Sequence, residues 1–178
     1  MEKVILKTGE TLHFSVGTTA DAAAVIEHLK IVGDETEFLS FSGADFAVAE
    51  EEQAVIIEAH QSADNRLFLL AWIKEELVGV LNIDASAKPK MQHLGEIGLS
   101  VLRAHWKKGI GYYMIQTALA WARETAILKK VNLEVQENNY GAIRLYEKLG
   151  FFHEGARKRG VLTDGVYYDL TMMGICIN

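Results

Sequence analysis

Just before residue 111 the chain passes from an apolar run into a helical stripe through Leu102-Arg103-Ala104-His105-Trp106-Lys107-Lys108-Gly109-Ile110-Gly111, a junction with two glycines and a basic pair. A helix that starts there leaves its first amides without intrahelical partners and presents the positive end of its dipole. Glycine lets the backbone close on a bound group, and Lys107 and Lys108 add countercharge, so the junction is a construction for holding an anion, and a pyrophosphate suits it. Two nucleotide-binding patterns fail. A P-loop requires Gly-Lys-Ser/Thr where Gly109-Ile110-Gly111-Tyr112 stands, and the dinucleotide fingerprint requires a third glycine where Met114 stands. The competing reading is an ordinary glycine turn capping a helix, and the rest of the chain has to decide between them.

Around this junction the periodicity changes repeatedly between strand and helix. Residues 11–16 alternate as a strand, Thr18, Thr19 and Asp21 offer caps for an Ala-rich helix ending near Gly33, and a second helix is expected over about 45–63. Residues 66–74 and 77–85 form a predicted hairpin about Glu75-Glu76, followed by a strand over 91–102 that contains Gly95 and Gly98. Interior glycines suggest a bulge or a close approach to the backbone. Ile110, Met114, Ile115, Ala118, Leu119 and Ala122 make an apolar stripe on a central helix over 109–127. Then come a short strand over 131–135, a helix over 139–149 stopped at Gly150, and two strands over 151–159 and 166–175. Strands before and after the central helix predict a crossover, hence a locally parallel segment in an otherwise antiparallel α+β fold. With 178 residues, 49% of them hydrophobic, and no linker or repeat, one domain over 1–178 is expected.

Charge and composition exclude several classes. A formal net charge of −6 argues against a general nucleic-acid or anionic-membrane binder. The longest apolar run, residues 67–73, falls far short of the roughly 20 residues needed to cross a bilayer. Residues 1–7 lack the apolar core of a secretory signal, so a cytoplasmic protein is expected. Cys176 is alone, and the six histidines show no paired ligand spacing, so neither disulfide nor metal site is predicted.

The string His105-Trp106-Lys107-Lys108-Gly109-Ile110-Gly111 is followed by Asn139-Tyr140-Gly141-Ala142-Ile143-Arg144-Leu145-Tyr146-Glu147-Lys148-Leu149-Gly150-Phe151. Together they resemble the two central motifs of the GNAT superfamily, the acyl-CoA-dependent N-acyltransferases, with the likeness running over roughly 67–173 and more weakly over 11–30. The family usually has Gln or Arg where Trp106 stands, a departure that bears on one side-chain contact to the pyrophosphate. The resemblance implies a mixed, mostly antiparallel central sheet flanked by helices, with acetyl-CoA as cosubstrate and no metal. It places Lys107, Lys108, Gly109, Ile110, Gly111 and Tyr112 around the pyrophosphate, and Leu99, Ser100 and Val101 along the pantetheine arm as if it were an added strand. The Leu99 amide would serve the oxyanion, and Gly98 would permit the close approach. Asn139 would contact the pantetheine arm or pyrophosphate, and the Tyr146 hydroxyl would lie near the thioester sulfur as proton donor to the leaving thiolate. Asn139, Ala142, Ile143 and Tyr146 share one helical face, with the small Ala142 making room in it.

The reaction so implied is direct attack of a neutral amine on the thioester. Alkyl amines have pKa values near ~10, so a base or a desolvated pocket must remove the proton. Glu96, on the strand that carries Leu99, is the candidate base; Glu134 and Asp84 are weaker ones, and strand register decides whether Glu96 instead faces solvent. Residues 31–65 hold nine acidic residues and no Lys or Arg, which favours a cationic acceptor, with Asp34, Glu35 and Glu37 as its ligands. Arg157-Lys158-Arg159 reads as an exposed cluster. The expected function is acetylation of a small cationic metabolite, a polyamine, diamine or amino acid. Protein N-terminal or lysine acetylation is the alternative, and a non-catalytic acyl-CoA-binding module a further one. The apolar final strand, 166–177, permits edge pairing into a homodimer.

Overall fold

The computed structural model describes residues 3–178. Among these, eight strands form one sheet: β1 Lys3–Ile5, β2 Thr11–Val16, β3 Leu67–Ile73, β4 Glu76–Ala85, β5 Leu94–Val101, β6 Lys130–Gln136, β7 Phe152–Thr163 and β8 Val166–Cys176. Their spatial order is β1-β2-β3-β4-β5-β6-β8-β7. Four helices occupy the connections: α1 Ala22–Glu35, α2 Glu50–Gln61, α3 Ile110–Glu124 and α4 Tyr140–Lys148. Every neighbouring pair is antiparallel except β5 and β6, which α3 joins, so the mixed α+β sheet follows the expectation from sequence.

The strand pattern explains the layering. β3 is apolar at every position and packs between the helix layers on both faces. Leu67, Leu69, Ala71 and Ile73 join a core with Ile110, Met114, Ile115 and Ala118 of α3, while Phe68 and Leu70 pack with Val25 of α1 and Ile57 of α2. Ala142, Ile143, Leu145 and Tyr146 bring α4 onto the α3 side. One face of the sheet therefore carries α3 and α4, and the other carries α1 and α2.

Local chemistry sets the ends of these elements. Asp21 accepts both the backbone N–H and the hydroxyl of Thr18 at 2.7 Å, which fixes the turn before α1. The second helix starts later than the sequence suggests, because residues Gly43–Phe46 form a short 3-10 turn instead. That turn is clasped to α1: a Cβ on Gly33 would lie 2.6 Å from the Gly43 nitrogen. β1 escaped notice because its three residues are too few to show alternation. The final strand is a sharper difference. β8 lies between β6 and β7, so the sheet edge is β7, which bears Glu154, Arg157, Lys158 and Arg159 and loses register between Arg157 and Val161. Charges and a bulge discourage edge pairing, so the premise for a dimer through the final strand does not hold.

Ile115 is fully buried in the larger core. Replacing it by Ala is expected to destabilise the protein by about 2–5 kcal/mol, measured as a lowered urea midpoint with unchanged slope.

Candidate active site

β5 and β6 pair at only three rungs, Leu94 with Lys130, Gly95 with Val131 and Glu96 with Asn132. Beyond them β5 stays with β4 as far as Val101 and β6 stays with β8 as far as Gln136, so the two strands part and leave their inner edges unpaired. The Lys130 N–H donates to the His93 carbonyl at 3.2 Å, which sets the alternation: odd-numbered residues of β5 turn their peptide groups toward β6. Past the last rung these are Leu99 and Val101, and the Leu99 N–H opens into the cleft. The Val101 carbonyl already accepts the Trp106 indole N–H at 2.7 Å, so Trp106 anchors the loop to β5. Ser100 departs from the expected pairing. Its peptide groups turn toward β4, and its buried hydroxyl donates to His28 Nε2 at 2.9 Å.

The glycine junction forms a concave row of amides at the same opening. Lys107 and Gly109 both adopt left-handed backbone, with φ of 63° and 90°. Two such residues at a helix start curl successive N–H groups inward. Tyr113 is the first residue of α3 whose N–H reaches back to the Gly109 carbonyl, so the amides of Ile110, Gly111 and Tyr112 precede the helical ladder. Ile110 contributes only its backbone, its side chain being 1% exposed. Gly111 marks a point of close packing: a Cβ there would sit 3.3 Å from Leu145 and 3.4 Å from Leu99, where α3, α4 and β5 converge. Lys108 is not available as expected. Its Nζ lies 3.2 Å from Glu10 Oε2 and 3.3 Å from His105 Nδ1, so its charge is spent within the fold. Lys107 keeps an exposed side chain, and the Tyr112 hydroxyl accepts from Gln116 at 3.0 Å.

α4 closes the cleft from the α3 side. Asn139 Oδ1 accepts the Ala142 N–H at 3.2 Å and caps the helix, which commits its carbonyl to structure. The Tyr146 ring sits 5.7 Å from that of Phe151 and keeps part of its surface open. Its hydroxyl makes no hydrogen bond among the described residues, and burial pushes its pKa up to about 12.

The opposite side of the sheet carries the polar residues. Glu96, Gly98 and Ser100 of β5 and Asn132, Glu134 and Gln136 of β6 point toward α1 and α2, as the Ser100–His28 contact and the bond from Gln136 Nε2 to the Glu37 carbonyl at 2.6 Å establish. Glu96 is exposed and lies opposite Asp84 on β4 and Asn132 on β6. Asp84 is already engaged: it accepts from Asn82 at 2.6 Å and stands 3.2 Å from His60 Nε2. This pairing holds the Asp84 carboxyl below its ordinary range; burial of His60 opposes protonation, but Asp84 and the Ile56 carbonyl outweigh it and raise His60. Gly98 makes room for Asn82, since a Cβ there would lie 2.6 Å from Asn82 Oδ1; it does not open the cofactor side. Glu134 pairs with Arg157 Nη2 at 2.6 Å.

The loop acids are mostly structural. Asp34 Oδ1 accepts the Gly43 N–H at 3.0 Å, and Glu35 Oε2 accepts the Arg103 N–H at 2.8 Å. Only Glu37 leaves its carboxylate free, while its carbonyl ties the loop to Gln136. With Glu35 held beside the end of β5 and Glu37 beside the end of β6, the loop after α1 spans the parted strands. Two surface hollows of about 590 and 480 Å³ lie instead near the β1–β2 and β3–β4 turns, around Glu10 and Lys74, and share no residue with the cleft. No helix among the described residues is long and apolar enough to cross a membrane.

Residues 34–151 match the family described as the acetyltransferase (GNAT) family. The chain is 30% identical over 106 residues to the L-amino acid N-acetyltransferase AaaT of Escherichia coli, a match covering 59% of this chain and 65% of that protein, just under two thirds of its length. A GNAT-family acetyltransferase from Streptococcus pneumoniae superposes with a TM-score of 0.90 at 30% identity, covering 94% of this chain and 99% of the other. The fold is also that of yncA from Salmonella typhimurium, solved with acetyl-CoA, at a TM-score of 0.82 and 20% identity over 94% of each chain.

His28 supplies a pH test of the site's scaffold. Its Nδ1–H donates to the Leu77 carbonyl at 3.2 Å, so Nε2 accepts from Ser100 and the ring is neutral; burial lowers its pKa to about 4. An unfolded histidine takes a proton near pH ~6.5, so stability is lost as pH falls from there toward 4, by on the order of 3 kcal/mol from this residue. His60 runs the other way: its raised pKa gives stability that is full below the ordinary histidine range and is lost as pH rises through the raised value. The urea midpoint of wild type is expected to drop more steeply between pH 7 and pH 4.5 than that of His28→Gln.

Proposed function

Because this chain belongs to the GNAT family of acetyltransferases, we propose that it transfers the acetyl group of acetyl-CoA to the primary amine of a small-molecule acceptor, by direct attack. What carries the reading is one juxtaposition: the parted β5–β6 edge with its free Leu99 amide, the unpaired amides opening α3, and Tyr146 on α4. These groups suit the cosubstrate. The amides of Ile110, Gly111 and Tyr112 would hold the pyrophosphate, with Lys107 as countercharge, and the β5 edge would hold the pantetheine arm. The bound cosubstrate supplies an acetyl thioester.

The chain's own groups then divide the work. Leu99 offers an N–H to the negative charge that develops on the carbonyl oxygen as the amine adds. Glu96, exposed on the far face of the same strand, takes the proton that the attacking nitrogen must lose. The C–S bond breaks, the new C–N bond remains, and the thiolate departs. With its pKa pushed up to about 12, Tyr146 stays protonated throughout and meets the sulfur as a hydrogen-bond donor. Full transfer to a thiolate of pKa about 8.5 would run uphill until solvent or the product relieves it.

Among acceptors, amino acids are favoured over polyamines. Two of the three loop acids that a polyamine would need are already bonded to backbone amides, and AaaT is named for amino acids.

Purified protein is expected to bind acetyl-CoA by calorimetry and to release thiol from it when an acceptor amine is supplied from a panel of amino acids, diamines, polyamines and short peptides. Tyr146→Phe should keep acetyl-CoA affinity within about twofold while kcat falls about tenfold or more. Absence of acetyl-CoA binding in wild type would refute the assignment, and binding without turnover on any amine would leave a non-catalytic module.

A further inference from the structure

β6 lies inside the sheet, yet every second residue on one of its faces is polar: Lys130, Asn132, Glu134 and Gln136. Val131, Leu133 and Val135, on its other face, are buried in the larger core, so the two faces of β6 differ sharply in chemistry. The first two members of this stripe, Lys130 and Asn132, sit at the first and last rungs that β6 shares with β5, and the next member past the last rung is Glu134. On β5, Glu96 stands at the last shared rung, opposite Asn132 and diagonal to Glu134, and on the outer side stands Arg157, whose Nη2 lies 2.6 Å from Glu134 Oε1.

Arg157 comes from two strands away. It is opposite Leu170 on β8, which is itself opposite Gln136 on β6, so its side chain has to cross β8 to meet Glu134. A register break follows it, between Arg157 and Val161. Lys158 Nζ and the Arg159 N–H both bond to Asp169, at 2.5 and 2.9 Å, and the Arg159 guanidinium lies 5.4 Å from the Tyr167 ring. Those two cations are thereby held on the hairpin itself, and of the basic triplet only Arg157 is turned to the cleft. A guanidinium has five N–H donors in a planar fork that matches a carboxylate. Glu134 engages one end of it, and the side chain is 59% exposed, so donors remain free.

We infer that Arg157 reads the carboxylate of an α-amino acid acceptor whose amine lies between Glu96 and Glu134. The inference deepens the acetyltransferase reading and rests on it. The charge order explains why a free amino acid fits and a diamine does not: negative groups flank the point of attack and a cation follows at the outer end, opposite in sign to what a second ammonium needs. Glu134 has two parts in this arrangement, orienting Arg157 and meeting the ammonium form of the acceptor before Glu96 deprotonates it.

An exposed ion pair contributes little to stability, so Arg157 can be replaced without unfolding the chain. Wild type, Arg157→Gln and Arg157→Lys would be assayed with acetyl-CoA on a panel of L-amino acids and on the carboxamide of the best of them. For the amino acid, Arg157→Gln should raise KM about tenfold or more with kcat little changed, and Arg157→Lys should recover part of the loss. For the carboxamide, which lacks the negative charge, Arg157→Gln should match wild type within about twofold. Equal losses on both compounds would overturn the inference, as would turnover by wild type of diamines or peptides but of no free amino acid; both leave acetyl transfer standing. Failure of wild type to acetylate any amine would refute the activity itself and this inference with it.

Discussion

The separation of β5 from β6 after three rungs is the constraint on which the rest of the molecule turns. A sheet interior that opens leaves peptide groups without ladder partners, and such groups have to be satisfied by something. Here the answer differs along the edge. Trp106 folds back to take the Val101 carbonyl, while the Leu99 amide faces the opening. α3 follows β5 in the chain, and its first amides, those of Ile110, Gly111 and Tyr112, likewise precede any helical partner. Gly111 lets α3 and α4 close against β5, since any side chain there would press on Leu145 and Leu99.

The two faces of the parted strands do different chemistry because strand alternation separates them. Odd positions of β5 present apolar side chains to α3 and α4, and even positions present Glu96 and Ser100 to α1 and α2. Tyr146 therefore approaches the cleft from one side of the sheet and Glu96 from the other. In the proposed reaction this puts the base and the hydrogen-bond donor on opposite sides of the reacting carbonyl, one serving the incoming nitrogen and the other the departing sulfur. The His28–Ser100 bond gives this division rigidity, since it pins α1 to β5 at the residue beside Leu99 without placing a charge there.

Much of this was legible in the sequence, and the exceptions share one cause. Helices and strands came from periodicity, and the glycine junction marked the unpaired helix start because a helix start with αL residues is a local property. Side-chain commitments were not legible, because their partners are distant in the chain. Lys108 looked like a phosphate ligand until Glu10, 98 residues away, claimed it, and Glu35 looked like an acceptor ligand until Arg103, 68 residues away, did. Gly98 was read as room for a guest, but the residue it accommodates is Asn82 on the neighbouring strand. The Glu134–Arg157 pair had a partial signal: polar residues at alternate positions of β6 were visible, while the strand order that makes β6 internal was not.

The origin of each group also bears on what this fold can vary. The groups assigned to the cosubstrate are mostly backbone amides of β5 and α3, whose positions are set by the larger hydrophobic core. Changing them means moving elements that are buried against one another. The groups assigned to the acceptor are side chains from β5, β6, β7 and the loop after α1, each replaceable at an exposed or half-buried position. The loop is held across the open strands by two contacts, Glu35 to Arg103 and the Glu37 carbonyl to Gln136, and neither contact uses the side chains of residues 38–41 that follow them. A scaffold arranged in this way conserves the donor half of the reaction through its packing and leaves the acceptor half to individual side chains. On the inferred role of Arg157, acceptor choice would shift by single substitutions at such positions, with little change in stability.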